Sequence, residues 1–397
     1  MVAMARAPND VSDAGGLKRR PSLGKRLTKM AAPRTTVWKL DPHSRAKHAI
    51  LRRYLEAWTP ILTRGGFPRI AYVDGFAGPG RYEGGEDGSP IIALKSVLAH
   101  RHRIQGQVLF LFVEERPDRA DELNRLIDAL SPPPNFLIMV QGGRRFEQAF
   151  AEFRQLHAGW RGHLPPTFAF IDPFGWTGAP FTVVEEILSH PSCEALVTFM
   201  YEEINRFIGH PDQAANFDSF FGTGSWRHCE ECGTPAARNR FLHGLYLQQL
   251  RNAASVRHVR SFQMRNASGL TDYYLFYATN ALAGVKKMKE AMWSVDRSGE
   301  FTFSDATDLN QMVLFGTEPQ YDHLRRQILA EFAGQIVTVG EIEEFVLTQT
   351  AFRETHYRRQ ILKPLELAEP PAIIVLSPPP RRRRGTFASP DMRIRFT

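Results

Sequence analysis

Short apolar runs separated by amphipathic stretches give residues 69–200 a regular alternation. Five runs of five to eight residues predict strands, and the stretches between them have the length and apolar periodicity of helices. The predicted strands are 69–74, 107–114, 136–140, 167–172 and 194–200, and the predicted helices are 89–100, 117–130, 144–156 and 180–190. Because the strand runs are apolar throughout rather than alternating, both faces of each strand are expected to be covered, which is typical of a parallel sheet with helical crossovers.

The pattern changes on both sides of this region. Before it, apolar residues four apart from Ala46 to Trp58 predict an amphipathic helix. After it, residues 201–252 are mostly helical and polar, and strand-like runs at 256–264 and 272–279 flank a turn, which predicts a hairpin. Five parallel strands with a late hairpin favour an α/β fold, the Rossmann-like seven-stranded sheet of class I S-adenosylmethionine (SAM) methyltransferases with helical insertions. A nicotinamide-binding domain more usually continues with parallel strands.

The C-terminal residues show a separate pattern. Helices are predicted at 320–333, 339–348 and 353–367, and strands at 373–376 and 392–396. Three helices followed by a hairpin is the order of a winged-helix domain. The sequence therefore predicts a disordered basic tail at 1–36, a SAM methyltransferase-like domain at 37–316 and a winged-helix-like domain at 317–397.

Composition restricts the class of protein and its location. The chain of 397 residues is 43% hydrophobic and 23% charged, which is ordinary for a soluble globular protein. No apolar run approaches the roughly eighteen residues that span a bilayer, and the N-terminus lacks a hydrophobic signal, so we expect no membrane association. Three cysteines are too few for a disulfide framework, which indicates a reducing, cytoplasmic location.

Positive charge is concentrated in two places. The net charge is +8, residues 1–36 carry eight Lys/Arg and two Asp, and the predicted wing carries the run Arg381–Arg384. Such patches attract polyanions by counterion release, so nucleic acid is the expected partner, and a solubilising tail is the alternative for residues 1–36. A winged helix places its third helix in a major groove and its wing on phosphates, although protein-binding winged helices also exist. The predicted nucleic-acid-binding residues are Arg358, Arg359, Arg381, Arg382, Arg383 and Arg384.

A glycine-rich turn, DGFAGPG, follows the first predicted strand. Ligands of doubly wound sheets bind at the carboxyl ends of the strands, and glycines let the backbone approach them closely. The turn is not the GxGxxG fingerprint of dinucleotide sites, and Pro79 interrupts the helix start that would bind pyrophosphate. SAM has no phosphate and suits a looser loop. The predicted cofactor-binding residues of this turn are Asp74, Gly75, Phe76, Ala77, Gly78 and Gly80.

The second predicted strand ends at Glu114-Glu115. A carboxylate at this position can accept hydrogen bonds from both ribose hydroxyls of a nucleoside cofactor. We expect Glu114, the last residue of the strand, to do so. Glu115 in the same role, or a solvated turn, is the alternative.

The fourth predicted strand ends at Asp172-Pro173-Phe174, the position at which amino-methyltransferases carry (D/N)PP(Y/F). The lone pair of an exocyclic amine is delocalised into the ring, so the amine is a poor nucleophile. A carboxylate and a proline carbonyl can accept its two N–H groups, and an aromatic ring can stack on the base. Here the second proline is missing, but the acid, the first proline and the aromatic ring remain. Asp172, Pro173 and Phe174 are therefore predicted to orient the amino group of a nucleic-acid base for methyl transfer.

Several motifs, in order, carry a family resemblance. WKL, KHAILRRYL, YVDGFAGPGRY and GSP lie between residues 38 and 90, and FIDPFGWTGAPF and FMYEEINRF follow. Over about residues 36–300 the chain closely resembles the three-Cys-motif partner proteins of bacteria. The resemblance implies a methyltransferase-like protein encoded with a radical-SAM-like three-Cys-motif partner. More distantly, Lys47-His48 with DGFAGPGRY is similar to ribosomal RNA adenine-N6 methyltransferases, although Phe76 and DPFG depart from their pattern.

The resemblance implies further cofactor-binding residues. Lys47 and His48 would lie over the cofactor pocket, and Tyr82, which follows the glycine turn, would contact the cofactor. The alternatives are the solvated side of an amphipathic helix for the first two and a packing role for Tyr82.

The motif H-C-E-E-C at His228–Cys232 is the candidate metal site, but it lacks a fourth ligand, so no metal is predicted. Two functions remain open. The first is a SAM-dependent methyltransferase that acts on the amino group of a nucleic-acid base. The second is a catalytically degenerate module of the same fold that binds the three-Cys-motif partner and nucleic acid. A nicotinamide-dependent oxidoreductase is disfavoured by the absence of GxGxxG.

Overall fold

A computed structural model describes residues 35–100, 104–158, 163–252, 254–266, 268–296, 320–376 and 381–397, and the backbone of residues 302–304. The predicted tail at 1–36 therefore lies almost wholly outside the described residues, as does the predicted boundary at 316–317. No helix in the described part of the chain is long and apolar enough to cross a bilayer.

The N-terminal domain is built on one mixed sheet. Its strands are β1 (Arg69–Asp74), β2 (Gln107–Glu114), β3 (Phe136–Gly142), β4 (Thr167–Ile171), β5 (Cys193–Phe199), β6 (His258–Arg265), β7 (Thr271–Thr279) and β8 (Thr302–Ser304). Their order is β3-β2-β1-β4-β5-β7-β6-β8. The strands β1 to β5 are mutually parallel, and β7 is inserted antiparallel between β5 and β6. The first seven strands thus confirm the predicted class I methyltransferase sheet, and the short β8, which pairs parallel with β6, adds an eighth.

Helices cover both faces of this sheet. They are α1 (Pro42–Arg64), α2 (Ser89–Leu98), α3 (Pro117–Leu130), α4 (Phe146–His157), α5 (Phe181–Ser189), α6 (Tyr201–Phe207), α7 (Ala214–Phe221), α8 (Pro235–Asn252) and α9 (Leu282–Val295). Alternate residues of β1 belong to different apolar clusters: Ile70 and Tyr72 pack with α1, α2 and α9, whereas Ala71 and Val73 pack with α4, α5 and α8. This two-sided burial explains why the strand runs are apolar throughout.

The C-terminal domain confirms the predicted winged-helix architecture. Its helices are α10 (Tyr321–Phe332), α11 (Val339–Gln349), α12 (Glu354–Tyr357) and α13 (Lys363–Leu367), and a π-helical turn at Arg358–Leu362 joins the last two into one third helix. Its sheet has the order β10-β11-β9, with β9 at Ile336–Thr338, β10 at Ile373–Val375 and β11 at Arg393–Phe396.

A buried lysine joins the two domains. Lys289 of α9 is fully buried, and its Nζ donates to the carbonyl oxygens of Val346, Leu347 and Thr350, at 2.8, 3.2 and 3.0 Å, where α11 ends. The carbonyl end of a helix carries partial negative charge, so it stabilises an ammonium group. Arg260 of β6 also donates twice to the Leu347 carbonyl oxygen. The winged helix is therefore fixed to the α9 side of the methyltransferase-like domain.

Candidate active site

The predicted site residues meet at one edge of the sheet. Because β1, β2 and β4 are parallel neighbours, their carboxyl ends place Asp74, Glu114 and Asp172 at the same edge. The start of α1 lies above this edge and brings Lys47 and His48 to it.

Asp74 holds the glycine turn in place. Its carboxyl group is fully buried, and it accepts hydrogen bonds from the Phe76 N–H at 3.2 Å and the Tyr72 hydroxyl at 3.3 Å. Gly78 and Gly80 have φ values of +62° and +79°, a backbone conformation that residues with a Cβ atom disfavour. A Cβ atom on Gly80 would also lie 2.7 Å from Leu123 Cδ1. Through these contacts Asp74 shapes the turn, and its predicted contact with the cofactor stays a prediction.

Burial raises the pKa of Asp74 to about 7, although its hydrogen bonds with Ser89, Phe76 and Tyr72 oppose the shift. Between about pH 4 and pH 7 the folded chain keeps a proton that the unfolded chain has lost, so ionisation of Asp74 lowers the free energy of unfolding as pH rises. We therefore expect the wild type to lose up to about 4 kcal/mol of unfolding free energy, relative to Asp74→Asn, as the pH rises from about 4 to about 7. Urea denaturation at several pH values measures it, and a constant difference would contradict the expectation.

Glu114 lies beside the same turn. It is 8% exposed, and its Oε1 accepts a hydrogen bond from the Arg116 N–H at 2.8 Å. Burial raises the pKa of this carboxyl group, and the backbone N–H groups of Arg116 and Gly78 counteract the shift. By contrast, Glu115 is exposed. The structure therefore puts Glu114, and not Glu115, against the glycine turn.

Lys47 and Asp172 form an ion pair that the sequence did not suggest. The Lys47 Nζ lies 2.7 Å from Asp172 Oδ1 and 2.5 Å from Oδ2, and the two side chains are 8% and 21% exposed. Lys47 therefore contacts the predicted acceptor-orienting acid directly. A carboxylate has about four lone-pair positions, so the pair leaves Asp172 able to accept further hydrogen bonds.

His48 adds a neutral imidazole to this edge. It is 7% exposed, and burial together with the charge of Lys47 lowers its pKa to about 4. Its Nδ1 is buried and has no hydrogen-bond partner among the described residues. The ring lies 5.5 Å from the ring of Tyr82, whose pKa is raised by burial. A buried ring nitrogen of this kind costs free energy unless a ligand or water completes its bonding.

An aromatic cluster closes the site from the N-terminal side. Trp38 packs edge-on against Tyr82 and Phe174, with both ring centroids at 5.7 Å. Its ring lies 4.6 Å from the guanidinium of Arg119 and 3.4 Å from the position that a Cβ atom on Gly78 would occupy. Trp38 belongs to the WKL motif, but the sequence pattern alone assigns it no role. A tryptophan just before a helix that carries predicted site residues was the available signal.

Three further predicted residues differ in their exposure to solvent. Phe174 is 46% exposed, so its ring is available for stacking, whereas Pro173 is buried. Phe76 is half-buried, with its ring 5.9 Å from that of Phe146. The side chain of Phe76 therefore packs between the glycine turn and α4.

A separate cavity lies at the opposite edge of the sheet, away from these residues. It has a volume of about 220 Å³ and is lined largely by apolar side chains, among them Trp58, Leu62 and Phe67. On its floor the Glu194 carboxylate accepts hydrogen bonds from the hydroxyls of Tyr54 and Tyr277. It adjoins the amino ends of β4 and β5, where doubly wound sheets do not bind their ligands.

The sequence predicts no metal at the His228–Cys232 motif, and this stays a prediction. Cys229 is buried, Cys232 is partly buried, and both are free thiols. Burial raises the pKa of the Cys229 thiol to about 11. Among the residues that the structure describes, no three His, Cys, Asp or Glu side chains cluster as metal ligands would.

The predicted nucleic-acid-binding arginines fall into two groups. Arg382 forms a double ion pair with Glu366, at 2.6 and 2.7 Å, in which both side chains are 7% exposed, and Arg358 bonds to Glu343 at 2.7 Å. These two side chains bind protein carboxylates. The exposed arginines are Arg359, Arg381, Arg383 and Arg384.

Comparison with known proteins gives one family match and distant structural similarities. A family model described as the GMT-like wHTH domain matches residues 302–366. No curated protein matches the sequence. Cofactor-bound Rv0187 from MTB is similar with a TM-score of 0.33 and 12% identity, covering 62% of this chain and 83% of its own. A Klebsiella pneumoniae protein described as an O-methyltransferase has a TM-score of 0.31 and 12% identity, with coverage of 61% and 92%. Scores this low do not establish function, whereas the strand order and the family match establish a methyltransferase-type sheet with a C-terminal winged helix.

Proposed function

We propose that this protein is a SAM-dependent methyltransferase that acts on the amino group of a nucleic-acid base. The observation that carries the proposal is the convergence, at one sheet edge, of the glycine turn, Glu114 and Asp172-Pro173-Phe174. Each group has a separate task in methyl transfer to an amine, and the class I strand order places them together.

The residues present fit the cofactor. Glu114 is a buried carboxylate at the position where ribose hydroxyls bind, and Gly78 and Gly80 let the backbone approach the ligand. The buried Nδ1 of His48, which has no hydrogen-bond partner among the described residues, offers a further polar contact. When bound, SAM supplies an electrophilic methyl group on its sulfonium sulfur.

The acceptor would be oriented by the loop after β4. The Asp172 carboxylate and the Pro173 carbonyl would accept the two N–H groups, which restores lone-pair density to the nitrogen, and Phe174 would stack on the ring. Transfer would join the nitrogen to the methyl group as the methyl–sulfur bond breaks, and the amine would release one proton. The Asp172 carboxylate, which would accept one of the N–H groups, would take up that proton. Lys47 keeps the carboxylate in place for both tasks.

A calorimetric titration with SAM tests the cofactor assignment. We expect saturable binding to the wild type, a loss of about tenfold or more in affinity for Glu114→Ala, and no change for the matched control Glu115→Ala. A charged hydrogen bond to a ligand contributes about 1.5–3 kcal/mol, which corresponds to this factor. Equal effects of both substitutions would overturn the role of Glu114.

Transfer of a labelled methyl group to bulk RNA and to bulk DNA tests the reaction. Incorporation that depends on the protein, with the label on a base amino group, supports the proposal. SAM binding without transfer to either polymer would support the second function instead, a degenerate module that binds a three-Cys-motif partner. The contact of Lys47 with both oxygens of Asp172 favours that alternative, because it occupies part of the acid's acceptor capacity.

A further inference from the structure

We propose that the C-terminal domain binds the sugar–phosphate backbone of nucleic acid, without reading base edges, through a patch made by its third helix and its wing. This inference rests on the proposed nucleic-acid function, and it concerns how that acid is held. The patch consists of Arg359, Lys363, Arg381, Arg383 and Arg384, all exposed, and is called the helix–wing patch.

The base-reading end of the third helix is partly covered by the other domain, with Arg353 and His356 against α9 and Thr355 exposed. In helix-turn-helix proteins the N-terminal residues of this helix contact base edges. Here the ring of His356 lies 4.4 Å from that of Trp293 on α9, and Arg353 lies 3.6 Å from Glu290 of the same helix. Burial lowers the pKa of His356 to about 4, so its imidazole is neutral at pH 7.

The interdomain contact keeps this end covered. Trp293 Nε1 donates to the Ala351 carbonyl oxygen at 2.8 Å, directly before the third helix, and the buried Lys289 holds the end of α11. Exposing the first turn would break these bonds and leave a buried amine without its acceptors. A buried amine that loses its hydrogen-bond acceptors costs several kcal/mol. The domain therefore binds nucleic acid with the first turn of its third helix still packed against α9.

The other end of the third helix forms a continuous cationic surface with the wing. Glu366 accepts from Arg382 and from the Gly385 N–H at 2.7 Å, and Arg384 donates to the Glu366 carbonyl oxygen. Gly385 is so close to Lys363 that a Cβ atom there would lie 2.8 Å from Lys363 Cγ. The wing turn is therefore anchored on the last turn of the third helix.

The helix–wing patch keeps its positive charge because the nearby acid, Glu366, is balanced by Arg382. Glu366 is already paired with Arg382, so it does not offset the exposed side chains. Arg359 precedes Lys363 by four residues and is exposed like it, while Arg381, Arg383 and Arg384 project from the wing turn. Exposed cations grouped in this way suit phosphodiesters, whose binding is dominated by counterion release.

The test uses two double variants with equal loss of charge. Arg381→Ala with Arg383→Ala removes two cations from the helix–wing patch, and Arg325→Ala with Arg326→Ala removes two exposed cations from α10 of the same domain. Binding of the full-length protein to a labelled 30-base-pair DNA duplex, the RNA duplex of the same sequence and scrambled versions of both is measured by anisotropy across a salt series. Each lost phosphate contact lowers the slope of log affinity against log salt by about 0.9.

We expect the patch variant to lose about two units of slope, the α10 variant to match the wild type, and scrambled duplexes to bind within about threefold of the original. Equal slope losses in both variants, or a tenfold preference for one sequence, would overturn the inference while leaving nucleic-acid binding intact. If the wild type binds neither duplex, the nucleic-acid part of the proposed function fails as well. The DNA and RNA arms show which polymer supplies the phosphodiesters.

Discussion

Asp172→Asn should lower the rate of methyl transfer by about 10²- to 10⁴-fold and leave SAM affinity within about twofold of the wild type. Amino-methyltransferases also carry asparagine at this position, but here the side chain faces the Lys47 ammonium as well. An amide oxygen can still accept hydrogen bonds, but without a negative charge it can neither take up the amine proton nor balance the ammonium. The separation between transfer and cofactor affinity follows from the geometry, because Glu114 and the glycine turn contact Asp172 through neither a hydrogen bond nor an ion pair among those described. Labelled transfer and SAM calorimetry on the same preparation measure the two effects.

Asp172→Asn also removes the charge partner of Lys47, and a double variant separates this effect from the effect on methyl transfer. The Lys47 side chain is 8% exposed, so Asp172→Asn leaves a buried ammonium without its carboxylate. Lys47→Met combined with Asp172→Asn removes both charges. If Asp172 orients the acceptor, the double variant stays inactive while its melting temperature recovers. Recovery of activity in the double variant would mean that Asp172 only serves as the partner of Lys47.

Lys289→Met should lower the free energy of unfolding by about 2–5 kcal/mol and separate the melting of the two domains. Methionine fills a similar volume, but three carbonyl oxygens where α11 ends lose the Lys289 donor. Replacing a buried charge with an apolar group can also stabilise a protein, because burial lowers the pKa of Lys289 and makes its ammonium form costly. The loss of three contacts to one helix end decides the sign, although the Val346 and Leu347 carbonyl oxygens keep the Thr350 hydroxyl and Arg260 as donors.

Lys287→Met is the matched control for this substitution. Lys287 lies on the same helix two residues earlier, is 35% exposed and pairs with Glu290. Exposed pairs of this kind contribute at most about 1 kcal/mol, so its melting curve should resemble the wild type. Calorimetric scans of both variants provide the comparison. A single, unshifted transition for Lys289→Met would show that the contact is energetically neutral.

The strands of the main sheet were predictable because their signal is local. β1 and β2 have the predicted bounds, and β4 and β5 differ from prediction by one residue at their ends. A buried parallel strand is a continuous apolar run, so its bounds are visible in the sequence. β8 and β9, with three residues each, are too short to show a period and were missed.

The site was predictable in its residues but not in its contacts. The glycine turn, Glu114 and Asp172 follow strand ends, so topology alone brings them together. The Lys47–Asp172 pair joins residues that are 125 positions apart in the sequence. Of the four consecutive arginines at 381–384, Arg382 is the one that forms the double ion pair with Glu366. Periodicity and composition contain no information on which charged side chains meet, because that choice depends on the packing of helices already folded.

The segment that carries Trp38 also determines where the basic N-terminal residues join the described domain. Arg119 donates to the Thr35 carbonyl oxygen and Thr36 donates to Asp118, which ties the start of the described chain to α3 beside the glycine turn. Thr35, the first residue that the structure describes, is thus held beside the candidate active site, and the chain of residues 1–34, with its eight Lys/Arg, joins it there. If these cations bind a polyanion, as their charge predicts, this covalent link would raise the effective concentration of the polyanion at the candidate site without any added contact.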